Sequence, residues 1–446
     1  MKDAEAGAEK QITEPHKSDI INECEPSDTS CAWGGNNMRI LLILLVGIVG
    51  RVTVAMSNAS LGRKQDFVPS IHAVQNLREC IYLRKHELLG SGRSGCRQNV
   101  FFGFLKLVDK FPEEQTGDIF LLILFILLDV FGAILVRNVV EVYSDRVRKS
   151  RPGGVNKIEN SLLAFAIIFL HPYAILACGS LSTGSVSRLT GLLSLKHCIK
   201  KEYIFATASL TFSLYCDSAM MIILFPMIVC LSTDSAGTHY GENTRWKVQI
   251  KKNIIDMRVF SCCCLSVFVL FVASNYVLAL YLSEDMLAWD EILWRFNFNE
   301  NCPNPGLSWY FFAEVFNRFR QYFVFMFNAF PGSIVLPLSI RFIDCPITGL
   351  TSLLIISSMV TPYTNFSDLV LPTALYPVCN ICSKNTILNF ITISGLSATS
   401  TMIFVMKRKW LVYGTGNANY LYNQNLAFCM LHFVYLSSTV FSRRQK

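Results

Sequence analysis

DIFLLILFILLDVFGAILV, Asp118 to Val136, decides the fold. A hydrocarbon layer about 30 Å thick asks for roughly 20 consecutive apolar residues in helical form, and this run has that length and composition. Lipid offers no partner to backbone N–H and C=O groups, so such a segment satisfies them by coiling on itself. Comparable runs recur on both sides of it: Met38–Met56, Ser161–Ala177, Leu189–Leu195, Tyr203–Tyr215, Ala219–Leu231 and Val259–Leu282, then an aromatic segment from Trp309 with a Pro-interrupted run to Ile340, then Ile347–Val360, Leu369–Ile381, Ile387–Met406 and Tyr420–Phe441. They are continuous and do not alternate residue by residue, which excludes a membrane β-barrel. The expected fold is an all-α, polytopic transmembrane helical bundle; counting the short runs gives roughly 11 to 13 spans, several of them broken or tilted.

Composition agrees. The chain is 52% hydrophobic and only 16% charged, against about 25% charged in soluble domains. Its net charge of +8 comes from connections beside the apolar runs. Arg146, Arg148, Lys149, Arg151 and Lys157 form one cluster, and Arg245, Lys247, Lys251 and Lys252 another. That placement assigns both connections to the cytosol and argues against a nucleic-acid partner. Met1–Asn37 is polar and has no hydrophobic face, so it is expected to be a disordered cytosolic extension. No cleavable signal peptide is expected, and Met38–Met56 reads as a signal anchor opening a transmembrane domain over 38–446. Two long connections, about 57–117 and 283–308, are assigned to the lumen. The second is acidic and aromatic, with Glu284, Asp285, Trp289, Asp290, Glu291, Trp294 and Glu300.

Most of the sixteen cysteines lie in apolar runs, where packing explains them. Cys80, Cys96 and Cys302 fall in the lumenal connections, where oxidation is possible, and their pairing stays open. The sequons Asn58-Ala-Ser and Asn365-Phe-Ser both land on the lumenal side.

Chemistry is sparse. A membrane glycosyltransferase needs a lumenal carboxylate base, yet Asp66, Glu79 and Glu87 stand apart and form no Asp-x-Asp pair for a divalent metal. The seven histidines form no Cys/His or Ser/His constellation. No catalytic residue, metal or cofactor is expected. What remains is polarity set among aromatics. In NPGLSWYFFAEVF, Asn304–Phe316, Glu314 sits in an aromatic helix at the lumenal boundary. It either pairs with Arg318, four residues on, or helps Trp309 and Tyr310 rim a lipid-headgroup cleft. In GTGNANYLY, Gly414–Tyr422, Asn417 and Asn419 either cap the last helix or hydrogen-bond sugar and phosphate oxygens beside Tyr422.

These two segments resemble the signatures of the PIG-U family. The first is similar to Gly-Leu-x-Trp-Tyr-Phe-Phe-Ala-Glu-x-Phe and the second to Gly-x-x-Asn-x-Asn-x-x-Tyr. Weaker likenesses connect them at Leu336–Ile340, Pro346-Ile347, Ser367–Leu371, Tyr376–Val378 and Pro172–Leu176. The resemblance runs from about Met38 to the C-terminus, strongest in the second half. There are departures. Gly90–Cys96 stands where the family carries Ser-Pro-Tyr-x-Gly and His-x-x-Pro, and Lys407, Arg408 and Lys409 put a basic cluster on the lumenal side. The resemblance implies a multi-pass endoplasmic-reticulum subunit of GPI transamidase with a mannosyltransferase-like membrane fold that has lost its chemistry. It also implies the partners PIG-K, which carries the nucleophile, PIG-T, PIG-S and the anchor-attachment subunit. The implied work is binding and presenting the glycosylphosphatidylinositol lipid through Trp309, Tyr310, Glu314, Asn417, Asn419 and Tyr422. The alternative is a lipid-linked mannosyltransferase of precursor assembly.

Overall fold

The computed structural model describes residues 29–61, 82, 114–150, 157–217, 220–232, 245–282, 302–342, 346–379 and 386–442. Helices supply the regular structure: α1 (Thr29–Leu61), α2 (Glu114–Ser150), α3 (Lys157–Leu170), α4 (Pro172–Gly179), α5 (Gly184–Lys200), α6 (Tyr203–Cys216), α7 (Met221–Ser232), α8 (Arg245–Leu282), α9 (Ser308–Glu314), α10 (Asn317–Arg341), α11 (Pro346–Val360), α12 (Val370–Cys379), α13 (Thr386–Leu411) and α14 (Ala418–Ser442), with a 3₁₀ turn at Phe366–Leu369 before α12. Ile43–Lys446 packs as one compact unit, and Met1–Leu42 is a separate one holding the first part of α1. That helix begins at Thr29, ahead of the expected Met38. The lumenal assignments for 62–81, 83–113 and 283–301, with Cys80 and Cys96, lie outside the described residues.

Length sorts the helices. Among the described residues, four stretches are long and apolar enough to cross a bilayer: Asn37–Ser57, Gly117–Asp145, Asn317–Arg341 and Ile387–Leu411. The second, with a mean hydropathy of 3.1, contains the apolar run Asp118–Val136. A fifth crossing forms if Glu159–Leu170 and Pro172–Gly179, bent by 42°, count together. Pro172 dictates that bend, because it has no N–H and the residue before it avoids the α region. His171 adopts φ −59°, ψ 126°, and its Nδ1 accepts from the Tyr173 amide. The expected count of 11 to 13 is therefore not reached by length among the described residues. Segments such as Tyr203–Leu214, Met221–Ser232 and Pro346–Val360 fall short of a span.

For α11 the physical reason is burial in protein. Every residue of α11 from Ile347 to Val360 is buried, so protein neighbours replace the lipid that would otherwise set its length. Its hydroxyls turn inward on the helix: Thr351 donates to the Ile347 carbonyl at 2.7 Å and Ser352 to the Thr348 carbonyl at 2.9 Å. α7, α10, α12 and α14 pack around it. The second buried layer is α5 against α2 and α6, where eleven residues of α5 are buried although its sequence is polar. Small side chains let the backbones close up there, as membrane helix contacts require.

One group of charges lies inside the bundle. The Arg51 guanidinium, fully buried, donates from Nε to Asp129 Oδ2 at 3.0 Å and from Nη1 to the carbonyls of Gly47 and Phe169 at 3.0 and 2.9 Å. Its Nη2 also stands 3.0 Å from Asp129 Oδ2, out of line for a hydrogen bond. Arg188 approaches the other carboxylate oxygen at 3.4 Å. Two cations from α1 and α5 thus converge on one carboxylate of α2. In a lipid interior an unpaired charge is costly, so this cluster fixes how those helices sit.

Candidate site at the junction of α9 and α14

The two motif segments, about a hundred residues apart in sequence, meet. The turn before α9 is built first. Asn304 Oδ1 accepts from the Gly306 amide at 2.9 Å, and its Nδ2 donates to the Cys302 carbonyl at 3.1 Å. Gly306 is needed for closeness: a Cβ there would lie 2.7 Å from Thr364 Oγ1 and 3.2 Å from the Met359 carbonyl. The Leu307 amide then donates to that carbonyl at 3.0 Å, hanging α9 from the C-terminal end of α11.

Asn425, on α14 and fully buried, clamps this turn. Its Nδ2 donates to the carbonyls of Asn304 at 2.7 Å and Gly306 at 3.2 Å. Both carbonyls would otherwise be buried without partners at about 1–3 kcal/mol each. Above the clamp, Tyr310 and Tyr422 stack with ring centroids 4.5 Å apart, and the Tyr310 hydroxyl donates to Asn419 Oδ1. Trp309 is buried against Leu421, Phe428 and Phe366, and its ring stacks on Trp410 of α13 at 6.0 Å. Its indole N–H has no hydrogen-bond partner.

The expected site residues thus divide. Tyr310, Asn419 and Tyr422 form one contact surface; Trp309 lies beneath it; Glu314 and Asn417 are exposed. Asn417 is the N-cap of α14, its Oδ1 accepting from the Tyr420 amide at 3.2 Å. The turn ahead of it needs Gly414, which has φ +65° and open space around its Cα. Glu314 makes no ion pair with Arg318, because α9 ends at Glu314 and Val315 and Phe316 are extended, with ψ of 133° and 138°. An i, i+4 pair needs one continuous helix, and this one is broken. Desolvation and then the Glu314 carboxylate raise the Tyr310 pKa above its ordinary value.

Two residues take roles that the sequence left open or did not show. Asn365 is no glycan acceptor: it is 1% exposed, caps the 3₁₀ turn by accepting from the Ser367 amide, and donates to Ser182 Oγ. Nor was the Asn425 clamp foreseen, although a lone Asn amid the apolar residues of the last span invites the question of its partner. A related signal, an ionisable residue inside an apolar run, could have found Arg51 and Asp129, which were likewise not foreseen.

A family model described as "GPI transamidase subunit PIG-U" matches residues 44–428. Among relatives, the chain is 33% identical over 128 residues to the "GPI transamidase component GAB1 homolog" of Schizosaccharomyces pombe, covering 29% of this chain and 31% of that one. It is 25% identical over 272 residues to the "GPI-anchor transamidase component PIGU" of Mus musculus, covering 60% of this chain and 59% of that one. The Homo sapiens protein of that description is 24% identical over 265 residues, covering 58% and 57%. The aligned stretches therefore span less than two thirds of these relatives' own length.

Proposed function

Because the chain belongs to the PIG-U family, we propose that it is a multi-pass subunit of GPI transamidase in the endoplasmic-reticulum membrane, working with PIG-K, PIG-T, PIG-S and the anchor-attachment subunit. In this reading it is non-catalytic: it binds the glycosylphosphatidylinositol lipid and presents it, and another subunit exchanges the bond. The observation that carries the reading is the Tyr310, Asn419 and Tyr422 surface, where both family motifs are joined at the edge of the bundle.

The chemistry suits a glycolipid headgroup. Stacked tyrosines offer flat apolar faces with hydroxyls at their rims, and the Asn419 side-chain amide can donate and accept at once. Asn417 serves by holding the first turn of α14 in place, and Glu314, exposed beside Tyr310, is available to a cationic group. The unpartnered Trp309 indole N–H beneath the surface suits an acceptor oxygen.

The test uses cells lacking their own copy of the subunit, supplied with wild-type chain, Asn419→Ala or Tyr310→Phe. Surface display of a GPI-anchored reporter is measured beside co-purification of the complex. The reading expects display to fall while the complex stays whole. Normal display by both variants, expressed at wild-type level, would reject the proposed surface.

A further inference from the structure

Lys407, Arg408 and Lys409 lie at the C-terminal end of α13. Trp410, the next residue, stacks on Trp309 and so joins that end to the α9–α14 surface. Basic residues at such a place have two ordinary explanations. One is capping, but the carbonyls there are already met by backbone: that of Arg408 by the Val412 and Tyr413 amides at 2.9 and 3.2 Å, and that of Lys409 by the Thr415 amide at 3.0 Å. The other is snorkelling, in which a long side chain carries its charged head out to water. Arg408 departs from it, because its Nε is shut off from solvent and has no hydrogen-bond partner among the described residues.

The guanidinium is nevertheless held in place. Its Cζ lies 5.5 Å from the centroid of the Tyr413 ring, an attraction that positions the group without offering an oxygen to its N–H donors. A buried donor left unmet is costly, more so on a charged group, and an anionic oxygen relieves that cost best. On the far side of the Trp410 stack the Trp309 indole N–H is a second buried donor without a partner. The Lys409 side chain, beside Arg408 in sequence, is exposed and adds a positive charge.

Depth decides which anion. Ile387–Leu411 has 25 residues and is apolar enough to cross the bilayer. At 1.5 Å per residue it is about 37 Å long, against roughly 30 Å of hydrocarbon. Its last turn therefore reaches the headgroup layer, the level of lipid phosphates, whose oxygens a guanidinium fork matches.

We propose that Arg408, with Lys409 beside it, takes the phosphodiester of a phosphatidylinositol-based lipid, while the sugars beyond that phosphate meet Tyr310, Asn419 and Tyr422. The site deepens the function proposed above, on which this choice of lipid rests.

The test uses the full-length chain purified in detergent and delipidated, with binding read from the rise of the thermal midpoint as ligand is added. Dioleoylphosphatidylinositol, dioleoylglycerol and inositol 1-phosphate are compared, and wild type is expected to bind the first at least tenfold more tightly than either of the others. Arg408→Gln should weaken phosphatidylinositol about tenfold or more, the loss of a hydrogen bond to a charged group. Lys409→Gln, a change on an exposed side chain, should weaken it about fivefold. Should Arg408→Gln fail to fold, Arg408→Lys decides: it keeps the charge, loses the planar fork and is expected to bind more weakly than wild type. Wild-type affinity in the folded Arg408 variant, equal binding of dioleoylglycerol, or equal binding of inositol 1-phosphate would each overturn the proposal. Phosphatidylinositol carries the phosphodiester without the glycan, so failure here leaves the Tyr310 and Asn419 surface to its own reporter test.

Discussion

Asp129→Asn removes the carboxylate that Arg51 and Arg188 share, while changing volume little. Arg51 would keep the Gly47 and Phe169 carbonyls and the Phe169 ring, whose centroid lies 4.2 Å from its Cζ. Arg188 would keep Ser185 and the Ser367 carbonyl. Neither retains a counter-charge from the triad. Neutral interhelical hydrogen bonds in membranes average only about 0.6 kcal/mol, because the dissociated helices find other partners. A stranded charge is different: breaking a buried ion pair costs about 3–5 kcal/mol, and an arginine at bilayer depth about 2.5–3.5 kcal/mol on insertion scales. The charge effect wins, and about 3 kcal/mol corresponds to a factor of roughly a hundred or more in the folded population. The assay is the thermal midpoint of the full chain in detergent, read by the loss of the monodisperse peak in size exclusion. Arg51→Met and the double variant complete a cycle. Asp129→Asn should lower the midpoint clearly, and the double variant should recover part of the loss. Asp129→Asn within 0.5 kcal/mol of wild type, by about the ordinary spread of surface substitutions, would refute the argument that this ion group holds α1, α2 and α5 together.

Three other outcomes follow from the geometry. Asn425→Leu leaves the Asn304 and Gly306 carbonyls without their donor, costing about 2–6 kcal/mol in all, and limited proteolysis should detect loosening between α9 and α14. Gly306→Ala drives a methyl against Thr364 Oγ1 and the Met359 carbonyl, which overpacks the turn by about 1–3 kcal/mol; expression and reporter display should fall together. Asn365→Gln should leave gel mobility and glycosidase sensitivity unchanged, since Asn365 is buried in its cap, and a mobility shift on glycosidase treatment that this change abolishes would contradict the placement.

The apolar run at Asp118 was legible because hydrophobicity and length are local properties, and α2 carries it. The family motifs were legible for the same reason, and they meet in space. What stayed hidden is pairing. Nothing local joins Arg51 to Asp129, and Asn425 reads as an accident of composition until the turn at Asn304 is beside it. The Glu314–Arg318 expectation failed because spacing alone assumed a continuous helix, whereas Val315 and Phe316 are extended with neither glycine nor proline to announce the break. Short runs such as Leu189–Leu195 were counted as spans because sequence shows that a helix is apolar but not whether lipid or protein surrounds it.

That distinction matters for α11. With its residues enclosed by neighbouring helices, it has no annulus of acyl chains to match, unlike α10 and α13, which expose long apolar faces. Thinner or thicker bilayers would therefore tilt the peripheral helices first, as hydrophobic mismatch acts on lipid-facing surface. The α9 turn, suspended from the Met359 carbonyl, would ride on an insulated mast and keep its height while the membrane around it changes.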